Sequence, residues 1–162
     1  MSLTGLLLTS CAGSQARAVD ADGIPLDSPP IPTESNSAVL FFYRPASFFA
    51  SGVYPTVVLD NPPLCISKIQ NGAYTWITVP PGRHHFKVWT AQDQGKDNQI
   101  PTEVSAVGGG RYYFRVTPTG NMNVPGWSSR GPYFGAERTD SAEAKKELKD
   151  TYYVHPWETC EY

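Results

Sequence analysis

The stretch from Leu64 to Thr90 constrains the fold more than any other part of the chain. It holds three strand-like runs, Leu64 to Ile69, Ala73 to Val79 and Arg83 to Thr90, separated by Asn71-Gly72 and Pro81-Gly82. Asn-Gly is the favoured pair for a type I′ hairpin because both central residues need φ > 0, and Pro-Gly presets a type II turn. The reading is a three-stranded meander. Side chains alternate across a strand, so His84, Phe86 and Val88 share the core face of the third run while Arg83, His85, Lys87 and Trp89 share the other.

The same texture extends to both sides. Ala38 to Tyr43 is almost wholly apolar, as a strand covered on both faces would be. Tyr54 to Asp60 is rich in β-branched residues and ends at the turn Asp60-Asn61-Pro62-Pro63. Thr102 to Val107 and Arg111 to Thr117 read as a hairpin joined by Gly108-Gly109-Gly110, with Tyr112, Phe114 and Val116 on one face and Arg111, Tyr113, Arg115 and Thr117 on the other. Pro125, Gly126, Gly131 and Pro132 exclude a helix between Gly120 and Phe134. That segment is expected to supply an edge strand or a cover, with Trp127, Tyr133, Phe134 and Trp157 closing one end of the domain.

One helix is expected, over about 141–153. Asp140 caps its first turn with Glu143 as the reciprocal partner, Ala144, Leu148 and Tyr152 form its apolar stripe, and Pro156 prevents its continuation. Charged residues make up 17% of the chain and aromatics 12%, with 14 Gly and 15 Pro, which suits short strands and tight turns better than a helical bundle. A net charge of −2 offers no basic field for nucleic acid.

The N-terminus addresses location. Leu6-Leu7-Leu8-Thr9-Ser10-Cys11 reads as a lipobox, an apolar run ending in small residues before a cysteine that would be lipidated after cleavage. Leu3 to Leu8 is a shortened apolar core and no Lys or Arg precedes Cys11, so residues 1–11 are read as a truncated lipoprotein signal. The rival reading is an apolar strand with an incidental cysteine. Residues 12–36 are polar and proline-containing without periodicity and are expected to form a flexible tether, leaving 37–162 as the domain.

With Cys11 as lipid carrier, Cys65 and Cys160 remain: either a disulfide in an oxidising compartment, or a buried thiol and a cysteine in a frayed tail. His84, His85 and His155 stand at no metal-ligand spacing, so no metal or other cofactor is expected. No Gly-x-Ser-x-Gly elbow is present, and Gly108-Gly109-Gly110 lacks the lysine and helix of a phosphate loop. More suggestive is the face that Arg83, Lys87, Trp89, Arg111, Tyr113 and Arg115 would form if their two strands share a sheet. Arginines beside aromatic rings can anchor a protein or glycan, and the alternative is a solvated face whose long stems shield the rings.

Phe42-Tyr43-Arg44-Pro45, Val58-Leu59-Asp60, Lys68-Ile69-Gln70-Asn71-Gly72-Ala73-Tyr74 and Val79-Pro80-Pro81-Gly82-Arg83-His84 occur in order, followed by a helix with Ala144-Lys145-Lys146-Glu147-Leu148. Over roughly 38–152 this pattern resembles a family of bacterial, mostly lipobox-bearing proteins known as domain of unknown function 2846. The resemblance implies a small β-sandwich similar to transthyretin-like and carboxypeptidase-regulatory-like domains, and it implies no activity or ligand.

The combined expectation is a mainly β protein, an antiparallel sandwich of about seven or eight strands with one C-terminal helix, anchored through lipidated Cys11. Ala12 after that cysteine resembles lipoproteins sorted to the outer membrane and facing the periplasm. The expected role is a non-catalytic binding, scaffold or assembly module whose partner is an envelope protein or cell-wall component. Two rivals stand beside it: a subunit of an envelope-spanning secretion or appendage complex, and a glycan- or peptide-binding or hydrolytic domain.

Overall fold

The computed structural model describes residues 18–20, 23–25, 27–60, 63–90, 101–119 and 133–156. Among these described residues nine strands and one helix follow in order: β1 (Ala38–Tyr43), β2 (Thr56–Asp60), β3 (Pro63–Lys68), β4 (Ala73–Val79), β5 (Gly82–Trp89), β6 (Thr102–Ala106), β7 (Arg111–Thr119), β8 (Tyr133–Thr139), α1 (Ser141–Leu148) and β9 (Tyr152–Tyr153). They form two sheets, of order β8-β7-β1-β4-β9 and β3-β2-β5-β6. The mainly β sandwich expected from the sequence is the observed architecture.

β1 explains the layering. All six of its residues are buried because both faces of the strand are covered. Leu40 and Phe42 face the second sheet and join Phe114, Val116, Val57, Leu59, Phe86 and Val88 in the core between the sheets. Val39, Phe41 and Tyr43 face the other way, onto Tyr74, Tyr113, Ile24, Ala144 and Leu148. A third layer, α1 with residues N-terminal to β1, therefore lies outside the five-stranded sheet.

Several sequence expectations change here. The sheets are not wholly antiparallel: β1 runs parallel to β7, and β4 parallel to β9. The 64–90 region is not a meander, because β3 and β5 belong to one sheet and β4 to the other. Ile69, fully buried in the inter-sheet core, carries the chain across from β3 to β4. Only Gly72 takes positive φ at the Asn71-Gly72 turn, closed by Ala73 N–H donating to the Gln70 carbonyl, so the turn is not type I′.

β6 and β7 likewise form no hairpin. Gly109 N–H donates to the Ser37 carbonyl and Val39 N–H to the Gly110 carbonyl, so the glycine run crosses between sheets and starts the parallel β1–β7 ladder. A side chain at Gly108 would overlap the Ser35 carbonyl oxygen, and Gly109 has φ +74, so the close backbone approach requires glycine.

The helix is shorter than expected. Asp140 Oδ1 accepts from the N–H groups of Ala142 and Glu143 and starts it where the sequence predicts. It ends at Leu148, whose carbonyl accepts from both the N–H and hydroxyl of Thr151. The chain then turns to pair Tyr152 and Tyr153 with the edge of β4, so Tyr152 belongs to β9 and not to a helical stripe.

The expected tether is also shorter. Ile24 is 1% exposed within the outer cluster, Val19 forms a bridge with Pro25, and the Tyr74 hydroxyl donates to the Pro25 carbonyl. Ile31 packs against the same cluster. One buried isoleucine and a carbonyl facing a tyrosine are enough to dock a segment whose composition reads as free.

Candidate functional site

The arginine and aromatic face expected from the sequence is divided by the fold. Arg83, Lys87 and Trp89 lie on β5 in the four-stranded sheet, whereas Arg111, Tyr113 and Arg115 lie on β7 in the five-stranded sheet. Period two shows which residues of a strand share a face, but not which strands share a sheet. Arg83 lies 3.6 Å from a Glu103 oxygen in a largely solvated pair that contributes little, and half-buried Lys87 lies 3.9 Å from Asp60. Tyr113 is 2% exposed beneath the third layer, its ring stacked 4.8 Å from Phe41.

What β7 does build is a polar clamp on α1. Glu147 projects from the last turn of the helix and uses both carboxylate oxygens: Tyr43 O–H donates to Oε2 at 2.8 Å and Arg115 Nη2 to Oε1 at 2.5 Å. Three elements, β1, β7 and α1, meet at one carboxylate. Burial, with a smaller contribution from Glu147, holds the Tyr43 phenol well above the ordinary tyrosine range, whereas a hydrogen bond with Thr139 works the other way. A phenol kept protonated and a carboxylate occupied on both oxygens make a strut, not an acid–base pair poised for chemistry. No motif or spacing in the sequence points to Tyr43 and Glu147 as partners, and Arg115 stands out there for a different role.

A second polar device holds the loop after β1. Arg44, 1% exposed, donates from Nη1 to the Val53 carbonyl and from Nη2 to the Ala50 carbonyl, and its guanidinium lies 4.8 Å from the Phe134 ring centroid. Burial lowers its pKa from the usual arginine value. Asn71 Oδ1 accepts from Ser47 N–H, and Ser47 Oγ accepts from Phe49 N–H. The Tyr-Arg-Pro triplet of the sequence is thus a strand end whose arginine turns inward to shape the following loop.

Two grooves flank α1. One of about 500 Å³ is lined by Arg111, Tyr112, Tyr113, Arg138, Thr139, Asp140 and Ser141, but Asp140 already occupies the amides at the helix start and Arg138 lies over the Tyr112 ring at 5.1 Å. The other, of about 450 Å³, lies between Pro45-Ala46 and the helix residues Glu143 and Lys146 with the C-cap Lys149. Among the described residues no group of three or more His, Cys, Asp or Glu is placed to hold a metal. His84 Nε2 sits 2.8 Å from the Pro80 carbonyl, and His85 lies 3.9 Å from Glu103.

Cys65 is 5% exposed in β3 and is not a free thiol. Cys11, Cys160, Trp127 and Trp157 lie outside the described residues. Phe134 is buried in the inter-sheet core, where its ring supports Arg44. No helix among the described residues is long and apolar enough to cross a membrane.

No curated protein matches the chain. A family model does, over residues 34–127, a span that runs from just before β1 through β7 and includes the Arg44 loop but stops short of β8 and α1. The chain belongs to the family described as Protein of unknown function (DUF2846).

Proposed function

We propose that this protein is a bacterial envelope lipoprotein, held to the outer membrane through lipidated Cys11 and acting toward the periplasm as a non-catalytic binding, scaffold or assembly module. The observation that carries this reading is how buried Tyr43 and Arg44 and half-buried Arg115 and Glu147 are used. Tyr43, Arg115 and Glu147 fasten a helix to a sheet, and Arg44 fastens a loop. Each is engaged with protein partners in an architectural role, which fits a body that works through its surface. The lipobox-like run supplies the anchor, and acyl chains hold it with about 0.8 kcal/mol per buried methylene.

We further propose a Cys65–Cys160 bridge tying the C-terminal tail to β3. Its support is that Cys65 is buried and not a free thiol, in a protein whose proposed compartment is oxidising.

Metabolic labelling with a radioactive fatty acid tests the anchor. The native chain should take up label and the Cys11→Ala variant should take up none. Equal labelling of both would refute the reading.

A further inference from the structure

The docked N-terminal segment fixes how far the domain can stand from an anchor at Cys11. Val19 pairs with Pro25, Gly23 N–H donates to the Asp20 carbonyl, and Ile24 is buried beside Ala144 and Leu148 of α1. Cys11 and Val19 are eight residues apart, a leash of at most about 28 Å when fully extended. A free run to Asn36 would reach about 85 Å. A domain of this size measures about 35 Å across. The leash is shorter than that, so the layer containing α1 and the docked segment cannot lie on the side of the domain farthest from the bilayer.

That layer borders an unusual loop. From Pro45 to Pro55 the chain carries no charged residue. Phe48 is 100% exposed and Tyr54 52%, although the loop is braced by the two Arg44 hydrogen bonds, by the Asn71 contact and by Val53 N–H donating to the Ala50 carbonyl. Ala50 takes φ +55 within it. The fold thus buries an arginine and places a non-glycine residue in the left-handed region to hold a shape that leaves a phenylalanine side chain wholly in water. Pro45 and Ala46 face Lys146 of α1 and its C-cap Lys149 across the 450 Å³ groove, while Gly23 of the docked segment lies close to Lys145 of the same helix. Loop and leash are both set against α1.

We propose that the Phe48 loop is a bilayer contact, its phenylalanine entering the lipid–water interface with Tyr54 at headgroup level when the chain is anchored at Cys11. This rests on the lipoprotein reading above. An uncharged loop with an aromatic tip suits that interface, where charges are costly and tyrosine is favoured. The neighbouring groove sets Glu143, Glu147 and Asp150 against Lys146 and Lys149, so the contact depends on the aromatic ring and not on anionic lipid.

The test uses the full lipidated chain with Phe48→Trp, reconstituted into phosphatidylcholine vesicles with or without brominated acyl chains, against the unsubstituted chain to subtract the four native tryptophans. The expected result is co-flotation with vesicles, a blue-shifted emission from the introduced indole and additional quenching by brominated lipid. Co-flotation with a water-exposed indole at that position overturns the inference and leaves the anchor standing. So does an indole that is shielded but insensitive to brominated lipid, as contact with a second copy or another protein would produce. A chain that fails to float overturns the lipoprotein reading and this inference with it.

Discussion

The two faces of the five-stranded sheet are closed by different means. Toward the second sheet, Leu40, Phe42, Phe114 and Val116 meet Val57, Phe86 and Val88, and Phe42, Phe86 and Phe114 pack their rings at 4.7 to 5.4 Å between centroids. Toward the outer layer, Tyr43, Tyr74 and Tyr113 meet an eight-residue helix and a docked segment, with a half-buried carboxylate clamp and a buried hydroxyl-to-carbonyl bond. The inner face is bound chiefly by apolar burial, with Thr102 Oγ1 donating to the Ala136 carbonyl from one sheet to the other, and belongs to the whole domain. The outer face combines a small apolar contact with directional bonds, so it can open as a unit while the sandwich persists.

The sharpest way to break this contrast is at the inner core. Phe86 is fully buried and touches two aromatic rings. Phe86→Ala should cost about 3 to 5 kcal/mol, read in urea titration as a loss from every strand together. Protection retained in one sheet alone would show that the two sheets are not one cooperative body.

A smaller effect is expected at the outer layer. Leu148 is fully buried against the tyrosine face, and Leu148→Ala should cost about 2 to 3 kcal/mol, limited by the free energy at which the layer undocks locally. Amide exchange should accelerate in α1 and around Ile24 while β2 and β5 keep their protection. Equal acceleration throughout would merge the two regions into one.

How much of this contrast can be read in the sequence follows from what each signal measures. The unbroken apolar run of β1 reports burial on both faces, and Asp140 announces the helix start because its carboxylate meets two free amides. Alternation along β7 separates Phe114 from Tyr113 correctly, yet it marks the Tyr113 side as outward because a third layer leaves no trace in period two. The Arg44 position misleads for a related reason: an arginine at a strand end is ordinarily solvated, and its burial depends on the carbonyls of a loop several residues later. Gly108 reads as a turn, while the need for glycine comes from Ser35, more than 70 residues away. The clamp is illegible because Tyr43, Arg115 and Glu147 converge only after β7 has inserted beside β1.

The finest test of the comparison lies in alkali, where the outer layer has a liability that the inner core lacks. Tyr43 is buried and its phenol is held above the usual value of 10 by desolvation first and by Glu147 second; Tyr153, packed on the same layer, is raised by burial as well. With a folded-state pKa above the unfolded one, each contributes stability that is intact below pH about 10 and declines as pH rises further, by up to about 1.4 kcal/mol per pH unit, because the unfolded chain then releases a proton that the folded one retains. Tyr43→Phe should cost only about 1 kcal/mol at neutral pH, the worth of its hydrogen bond to Glu147. It should also flatten the alkaline decline, leaving the portion due to Tyr153. Chemical denaturation from about pH 7 to about pH 11 reads both effects. An alkaline limb as steep in Tyr43→Phe as in the parent would mean that the phenol ionises without hindrance in the folded state, and the clamp would then be a solvated contact instead of a buried one.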